Sequence, residues 1–217
     1  MENTHYCNAC ESIVPMFAPH TTSNKKRNDA VCPMCNSLER HRFFKYWFDT
    51  VKNNFNEDTR ILHFAPEKSI SALLKNITKK NYISVDIIPK RAMKVEDITE
   101  PSFPDKSFDF IFCSHVLQHV RDDKKAISEL YRVLDKNGML ILLGSHGNKK
   151  TEEIMRMHPE GHAYFVRLYN TKDLINKLSS EGFSVEILYP ENLINDATNF
   201  IKLGIRRGEA LFICKKN

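Results

Sequence analysis

Four cysteines, Cys7, Cys10, Cys32 and Cys35, fall as two C-x-x-C pairs with 21 residues between them. No other feature limits the fold of this chain so strongly. Each C-x-x-C closes a tight turn that aims two sulfurs at one point. Two such turns complete a tetrahedral shell of four thiolates, a donor set that suits Zn²⁺. Four protein ligands leave no open coordination position, so a zinc held this way is structural. Residues 1–38 carry three of the nine prolines and show almost no helical periodicity. A segment this short lacks apolar mass, and the metal would supply its folding energy. A zinc ribbon is expected over 1–38. The other two cysteines, Cys113 and Cys214, sit in apolar runs and read as buried strand residues. The start, "MENTHYCNAC", has no basic region followed by an apolar stretch, so a cytoplasmic location is expected, where thiols stay reduced.

The texture changes after Asn36. Leu38, Phe43, Phe44, Trp47, Phe48 and Val51 recur at helical spacing, which predicts a linking helix over 39–56 with Ser37 as its cap. Residues 57–217 then alternate. "RILHFAP", "NYISVDI", "SFDFIFCSH" and "MLILLGS" read as nearly continuous apolar strands. "SISALLKNI", a helix running to Gly138, and a helix capped by Thr171 and stopped by Gly182 separate them. This pattern predicts an α/β domain: a Rossmann-like, mostly parallel sheet with helices on both faces. One of the two closing strands, "FSVEILYP" and "EALFICKK", is expected to run antiparallel at an edge. No apolar run reaches the length needed to span a bilayer, and no membrane role is expected.

In an open α/β sheet, ligands bind beyond the carboxyl ends of the strands. Asp86, at the tip of the second strand of this domain, is placed to accept hydrogen bonds from ribose hydroxyls. The loop after the first strand, "ILHFAPE", contains no glycine; the first of seven is Gly138. Glycines in that loop let backbone amides approach a pyrophosphate. Their absence disfavours NAD more than a nucleoside without phosphate, such as S-adenosylmethionine (SAM). His63 reads as a hydrogen-bonded core histidine.

The order "ILHFAPE", "YISVDI", "VEDIT" and "FPDKSFDFIFCSHVLQHVRDDKKAISELYRVLDKNGMLIL" resembles a class I SAM-dependent methyltransferase. The last segment is similar to the run found in small-molecule methyltransferases of the ubiquinone-biosynthesis and type-11 kind. "CPMCNSLERHR" ahead of an "LHFAPE" loop looks like a subgroup with an N-terminal zinc ribbon. The chain departs from the family pattern at Ala65-Pro66-Glu67, at Gln118 and at Met139. The resemblance implies that Ala65, Pro66 and Glu67 line the methionine portion. It places Asp86 on the ribose with Ile87 beside adenine, Asp97 and Ile98 against the adenine, and Ser114 and His115 under the sulfonium.

A histidine near neutral pKa suits a base for an oxygen or nitrogen nucleophile. His115 and His146 end strands in the expected crevice, and His162 falls in an insertion after the fifth strand; these three are the catalytic candidates. His119, as the second histidine of "HVLQH", reads as structural. The insertion, about 147–170, is expected to form a lid over the acceptor. It offers His158, His162, Arg167 and Tyr169 as acceptor-binding residues, and Arg42 is a further candidate ahead of the domain. The expected acceptor is a small, polar molecule, anionic in character, such as a sugar or nucleotide-linked intermediate. The competing reading is a nucleic-acid-binding or nucleic-acid-methylating protein that grips its partner through the ribbon and "NKKRN" (Asn24 to Asn28). The net charge of +5 is modest for that role, and the ribbon is not rich in aromatics.

Overall fold

The structure, a computed structural model, describes residues 4–22, 25–144, 146–147, 149–157 and 164–216. His158 and His162 lie outside the described residues. Contacts group the chain into two units that do not follow the 1–38, 39–56 and 57–217 division. One unit comprises Met1–Glu57, Glu67–Lys79 and Leu188–Leu211; the other comprises Asp58–Pro66, Lys80–Ile187 and Phe212–Asn217. No described helix is long and apolar enough to cross a membrane.

The first unit opens with two antiparallel hairpins. β1 (His5–Cys7) pairs with β2 (Ser12–Val14), and β3 (Ala18–Thr22) with β4 (Lys25–Val31). α1 (Glu39–Val51) follows and buries Phe43, Phe44, Trp47 and Phe48, the aromatic stripe that its spacing foretells. Its cap is Leu38, one residue later than expected. Leu38 has no polar side chain, so the His41 ring takes over: Nδ1 accepts the Leu38 backbone N–H at 3.1 Å. Ser37 is engaged elsewhere, its hydroxyl 3.2 Å from Cys7 Sγ. α2 (Lys68–Thr78), the short α5 (Pro190–Leu193) and α6 (Ala197–Leu203) complete the unit. α6 ends at Gly204, whose φ of 56° is left-handed; a Cβ there would lie 2.4 Å from the Phe17 ring, so only glycine fits.

The second unit is built on a seven-stranded sheet of order β13-β14-β9-β8-β5-β6-β7. The strands are β5 (Ile61–Phe64), β6 (Tyr82–Asp86), β7 (Lys94–Val95), β8 (Phe108–Ser114), β9 (Leu134–Leu143), β13 (Phe183–Leu188) and β14 (Leu211–Lys216). β6, β5, β8 and β9 are mutually parallel, as is the short β7. Each side of β5 is fully buried, which is why the run carries no polar alternation. α3 (Asp123–Val133) leads straight into β9, so the helix stops five residues before Gly138. α4 (Thr171–Ser180) is capped by Asn170, whose side chain accepts from Lys172 N and Asp173 N, and not by Thr171. β14 runs antiparallel to β9 but lies inside the sheet, and β13 takes the edge. Burial explains the exchange: Leu211 to Cys214 are all buried, whereas β13 is only partly covered. The expected lid region contains β10 (His146–Gly147), β11 (Glu152–Met157) and β12 (Tyr164–Asn170), a separate small sheet of order β10-β12-β11.

Candidate cofactor cavity and thiol centre

In the first unit, Cys7, Cys10, Cys32 and Cys35 converge, with all four sulfurs within 4.8 Å of one another. Cys7 and Cys35 are 3.7 Å apart, and Cys10 and Cys32 are 3.8 Å apart. A tetrahedral ZnS4 centre with bonds of about 2.3 Å has sulfur–sulfur edges of about 3.8 Å. The donor set therefore fits zinc in chemistry and in spacing. Without a metal, burial pushes the Cys35 thiol up to about 12, so it stays protonated, and metal binding would have to displace that proton. Of the basic run "NKKRN", Arg27 is already neutralised by Glu39 at 3.3 Å, which takes a cation from the nucleic-acid reading.

In the second unit, a cavity of about 590 Å³ opens at the carboxyl ends of β5, β6 and β8. Strand order reverses there, between β5 and its neighbours on either side, as ligand sites in such sheets require. The volume lies within the usual range for small-molecule sites, roughly 300–1,000 Å³. Ala65, Asp86, Ile87, Asp97, Ile98 and His115 line it, all named from the sequence. Asp86 is half-buried. One of its carboxylate oxygens accepts the Ile88 N–H at 2.8 Å, and the other has no partner among the described residues. Asp97 caps its own turn by accepting from Thr99 N and Oγ1, both at 2.8 Å, so its turn role and its place on the wall coexist. Ala65 answers the missing glycines. Its φ is 48°, the left-handed conformation usually left to glycine, and its N–H is held by Val85 O at 2.8 Å.

His115 also has a left-handed backbone, with φ 55°. Its Nδ1 lies 2.8 Å from Gln118 Nε2, so the amide donates and Nδ1 accepts. With Nδ1 so occupied, the neutral ring carries its proton on Nε2 and can donate from there. His119 lines the same cavity from a short 3₁₀ turn, Leu117–His119, with its ring edge-on to Phe165 at 5.3 Å. The sequence reads it as structural; the signal for a place in the cavity is its spacing of four from His115 within "HVLQH". Arg121 is exposed on the cavity wall, and its guanidinium has no partner among the described residues.

Several candidates stand elsewhere. Pro66 and Ser114 are not on the cavity wall; Ser114 is 2% exposed within β8. Glu67 caps α2, and its carboxylate takes His41 Nε2–H at 3.2 Å and Arg40 at 3.6 Å. His146 also misses the cavity: its ring meets Phe212 edge-on at 5.1 Å, Nδ1 meets Thr171 Oγ1, and burial pulls its pKa down. Arg42 is fully buried and spends every N–H on oxygen atoms of its own unit, leaving none for an acceptor. Arg167 and Tyr169 are buried around Asp123. Tyr169 O–H donates to Asp123 at 2.8 Å, and Arg167 pairs with Asp123 at 3.1 Å and Glu153 at 2.8 Å. Arg167 also donates to Val120 O and Arg121 O, so it holds the cavity wall from behind. His63 is a core residue, bonded to the Tyr82 hydroxyl at 2.9 Å.

Residues 66–142 match the family described as methyltransferase domain. The fold is shared by an S-adenosylmethionine-dependent methyltransferase from Mesorhizobium loti, at TM-score 0.55 and 13% identity, over 78% of this chain and 97% of that one. Residues 66–142 are thus similar to a methyltransferase domain, and the fold is that of the class I SAM-dependent methyltransferases. Two curated methyltransferases resemble it in sequence. Phosphoethanolamine N-methyltransferase 2 of Caenorhabditis elegans is 28% identical over 41% of this chain and 20% of its own length. Malonyl-[acyl-carrier protein] O-methyltransferase 1 of Coxiella burnetii is 29% identical over 47% of this chain and 36% of its own length. The chain thus spans about a fifth and about a third of these relatives. The methyltransferase fold alone does not commit a protein to methyl transfer: the [4+2]-cyclase SpnF shares it at TM-score 0.57 and 15% identity, over 83% of this chain and 82% of its own.

Proposed function

We propose that the cavity binds SAM and that the protein transfers a methyl group to an oxygen or nitrogen atom of a small, polar, anionic molecule. The observation that carries this reading is Asp86: an unpartnered carboxylate oxygen at the tip of β6, on the wall of a cavity whose first loop has no phosphate-cradling glycines. Its free oxygen accepts from the ribose hydroxyls. Ile87 and Ile98 supply apolar walls for adenine, and Asp97 accepts from the adenine amino group through the oxygen that its turn does not use. Ala65 presents backbone to the methionine end. SAM held there supplies a methyl group already activated on a sulfonium.

The chain's own task is then to align the nucleophile and keep water out. His119 is the group placed to take the nucleophile's proton, and His115 Nε2–H orients the acceptor by donation. Arg121 gives an anionic group of the acceptor an exposed counter-charge. In the first unit, the four cysteines hold a structural Zn²⁺.

Calorimetry tests the cofactor. Wild type is expected to bind SAM and not NADH. Asp86→Ala should weaken SAM about 10- to 100-fold, the value of hydrogen bonds to a charged acceptor, about 1.5–3 kcal/mol. A folded, metal-loaded protein that ignores SAM would overturn the reading.

A further inference from the structure

Arg42 is the largest fully buried side chain among the described residues. Its five N–H groups meet oxygens from three separate stretches. Nη1 donates to Ser37 O at 2.7 Å and Ser37 Oγ at 3.5 Å; Nη2 donates to Ala30 O at 2.9 Å and Gly204 O at 2.6 Å; Nε donates to Leu203 O at 2.8 Å. The guanidinium carbon sits over the Phe17 ring, 4.0 Å from its centroid. No carboxylate is within ion-pair distance of it among the described residues. A buried guanidinium stays charged, and a buried charge without a counter-charge is strongly destabilising. Carbonyl dipoles satisfy its hydrogen bonds without cancelling its charge, and the carboxylate that acts on it, Glu39, is already paired with Arg27 at 3.3 Å.

The compensating charge lies in the thiol centre. Ser37 bridges the two, its hydroxyl 3.2 Å from Cys7 Sγ and 3.5 Å from Arg42 Nη1. Asn8, next to Cys7, donates to Arg42 O at 2.9 Å. Cys7 and Cys32 share one buried cluster with Phe17. Four thiolates around Zn²⁺ carry a net charge of −2. We propose that Arg42 is the counter-ion of the metal-thiolate centre, so that metal occupancy holds the α6 terminus, Leu203-Gly204, as well as the ribbon. This inference rests on the zinc reading of the four cysteines. It makes the segment Leu188–Leu211, distant in sequence, part of a metal-responsive unit. Gly204 fits the role, since a Cβ there would approach Arg42 Nη2 to 2.9 Å as well as Phe17.

The test uses the full chain, with metal content measured first. Hydrogen exchange is then followed in a peptide covering Ile201 to Arg206, where Gly204 N–H and Ile205 N–H are bonded to Ile201 O and Phe200 O. Stripping zinc from wild type with a chelator should accelerate exchange there together with exchange in β1 and β4. Arg42→Met should weaken zinc about 10- to 100-fold, as loss of groups surrounding metal ligands does, and Arg42→Lys should restore part of it. Arg42→Met that fails to fold leaves the wild-type chelation arm decisive. A purified chain that neither carries nor takes up zinc ends both readings. Zinc that is bound, yet whose removal leaves 201–206 protected, overturns the role of Arg42 and leaves the metal site standing. So does a lysine variant no better than methionine.

Discussion

The thiol centre and the cavity are assembled in opposite ways. The first draws its sulfurs from two short stretches, 7–10 and 32–35, so sequence spacing already contains its geometry. The second collects residues from the tips of β5, β6 and β8, from the turn after β7 and from Val166 on β12. The sheet order tells which tips meet, and Asp86 was legible for that reason. What it does not tell is which way a tip side chain turns. His115 and His146 follow neighbouring strands, β8 and β9, yet only His115 lines the cavity. A left-handed backbone at His115 redirects its ring, while His146 joins β10 and sets its ring edge-on to Phe212. A positive φ at a histidine leaves no trace in hydropathy.

The arginines teach the same lesson. Arg42 and Arg167 looked like ligands for an anion because cations are expected at the surface. Both are buried, because each has enough local oxygen acceptors to satisfy its fork. The arginine left over, Arg121, carries no motif and was invisible.

The largest expected effect sharpens the contrast between a centre that supplies folding energy and a cavity that does not. Cys10→Ser removes one zinc ligand. Apparent binding energies of structural zinc sites, about 10–16 kcal/mol, exceed the whole stability of most domains. The variant should lose zinc and lose exchange protection throughout β1–β4. Retained protection with no metal would show that the ribbon folds by itself. By contrast, Asp86→Ala should leave the melting temperature nearly unchanged while SAM affinity falls.

Next in size is the same substitution made at two arginines. Arg167→Met leaves Asp123 buried beside Tyr169 with one cation, Lys177 at 3.1 Å and half-exposed. Breaking such a network should cost about 3 kcal/mol or more in a urea titration. Arg121→Met should stay within about 0.5 kcal/mol, because its side chain is exposed and has no hydrogen-bond or ion-pair partner among the described residues. Arg121→Met should instead weaken whatever anionic acceptor a methylation screen identifies. Equal losses of stability would erase the distinction between wall and lining.

A smaller effect comes from pH. Burial pulls His41 and His146 below the usual histidine value of about 6.5. In the unfolded chain these rings take a proton near 6.5, whereas folded they take it lower. Between the two values the unfolded chain binds more protons, so stability falls as pH drops from about 6.5 and levels off below the folded pKa. For His41 the cost has a visible form: protonating Nδ1 would break the bond from Leu38 N–H that starts α1. Urea midpoints at pH 7.5 and 5.5 should differ less in His146→Gln than in wild type. An unchanged difference would mean that His146 is solvated enough to charge in place.

The smallest effect bears on the loop without glycine. Ala65 holds a left-handed φ that costs an L-residue about 1–2 kcal/mol relative to the right-handed form, and glycine would not incur that strain. Glycine would add about 0.4–1 kcal/mol of unfolded-state entropy in opposition. Ala65→Gly is therefore expected to shift stability by no more than about 1 kcal/mol, toward the stabilising side, and to leave SAM binding within a few-fold. That outcome would mean that the turn geometry survives without the residue that usually signals it, so absence of the motif is no evidence against the site. A clear loss in stability or affinity would mean that the Ala65 methyl packs against the cavity contents, and the loop would then be a variant shaped for its own ligand.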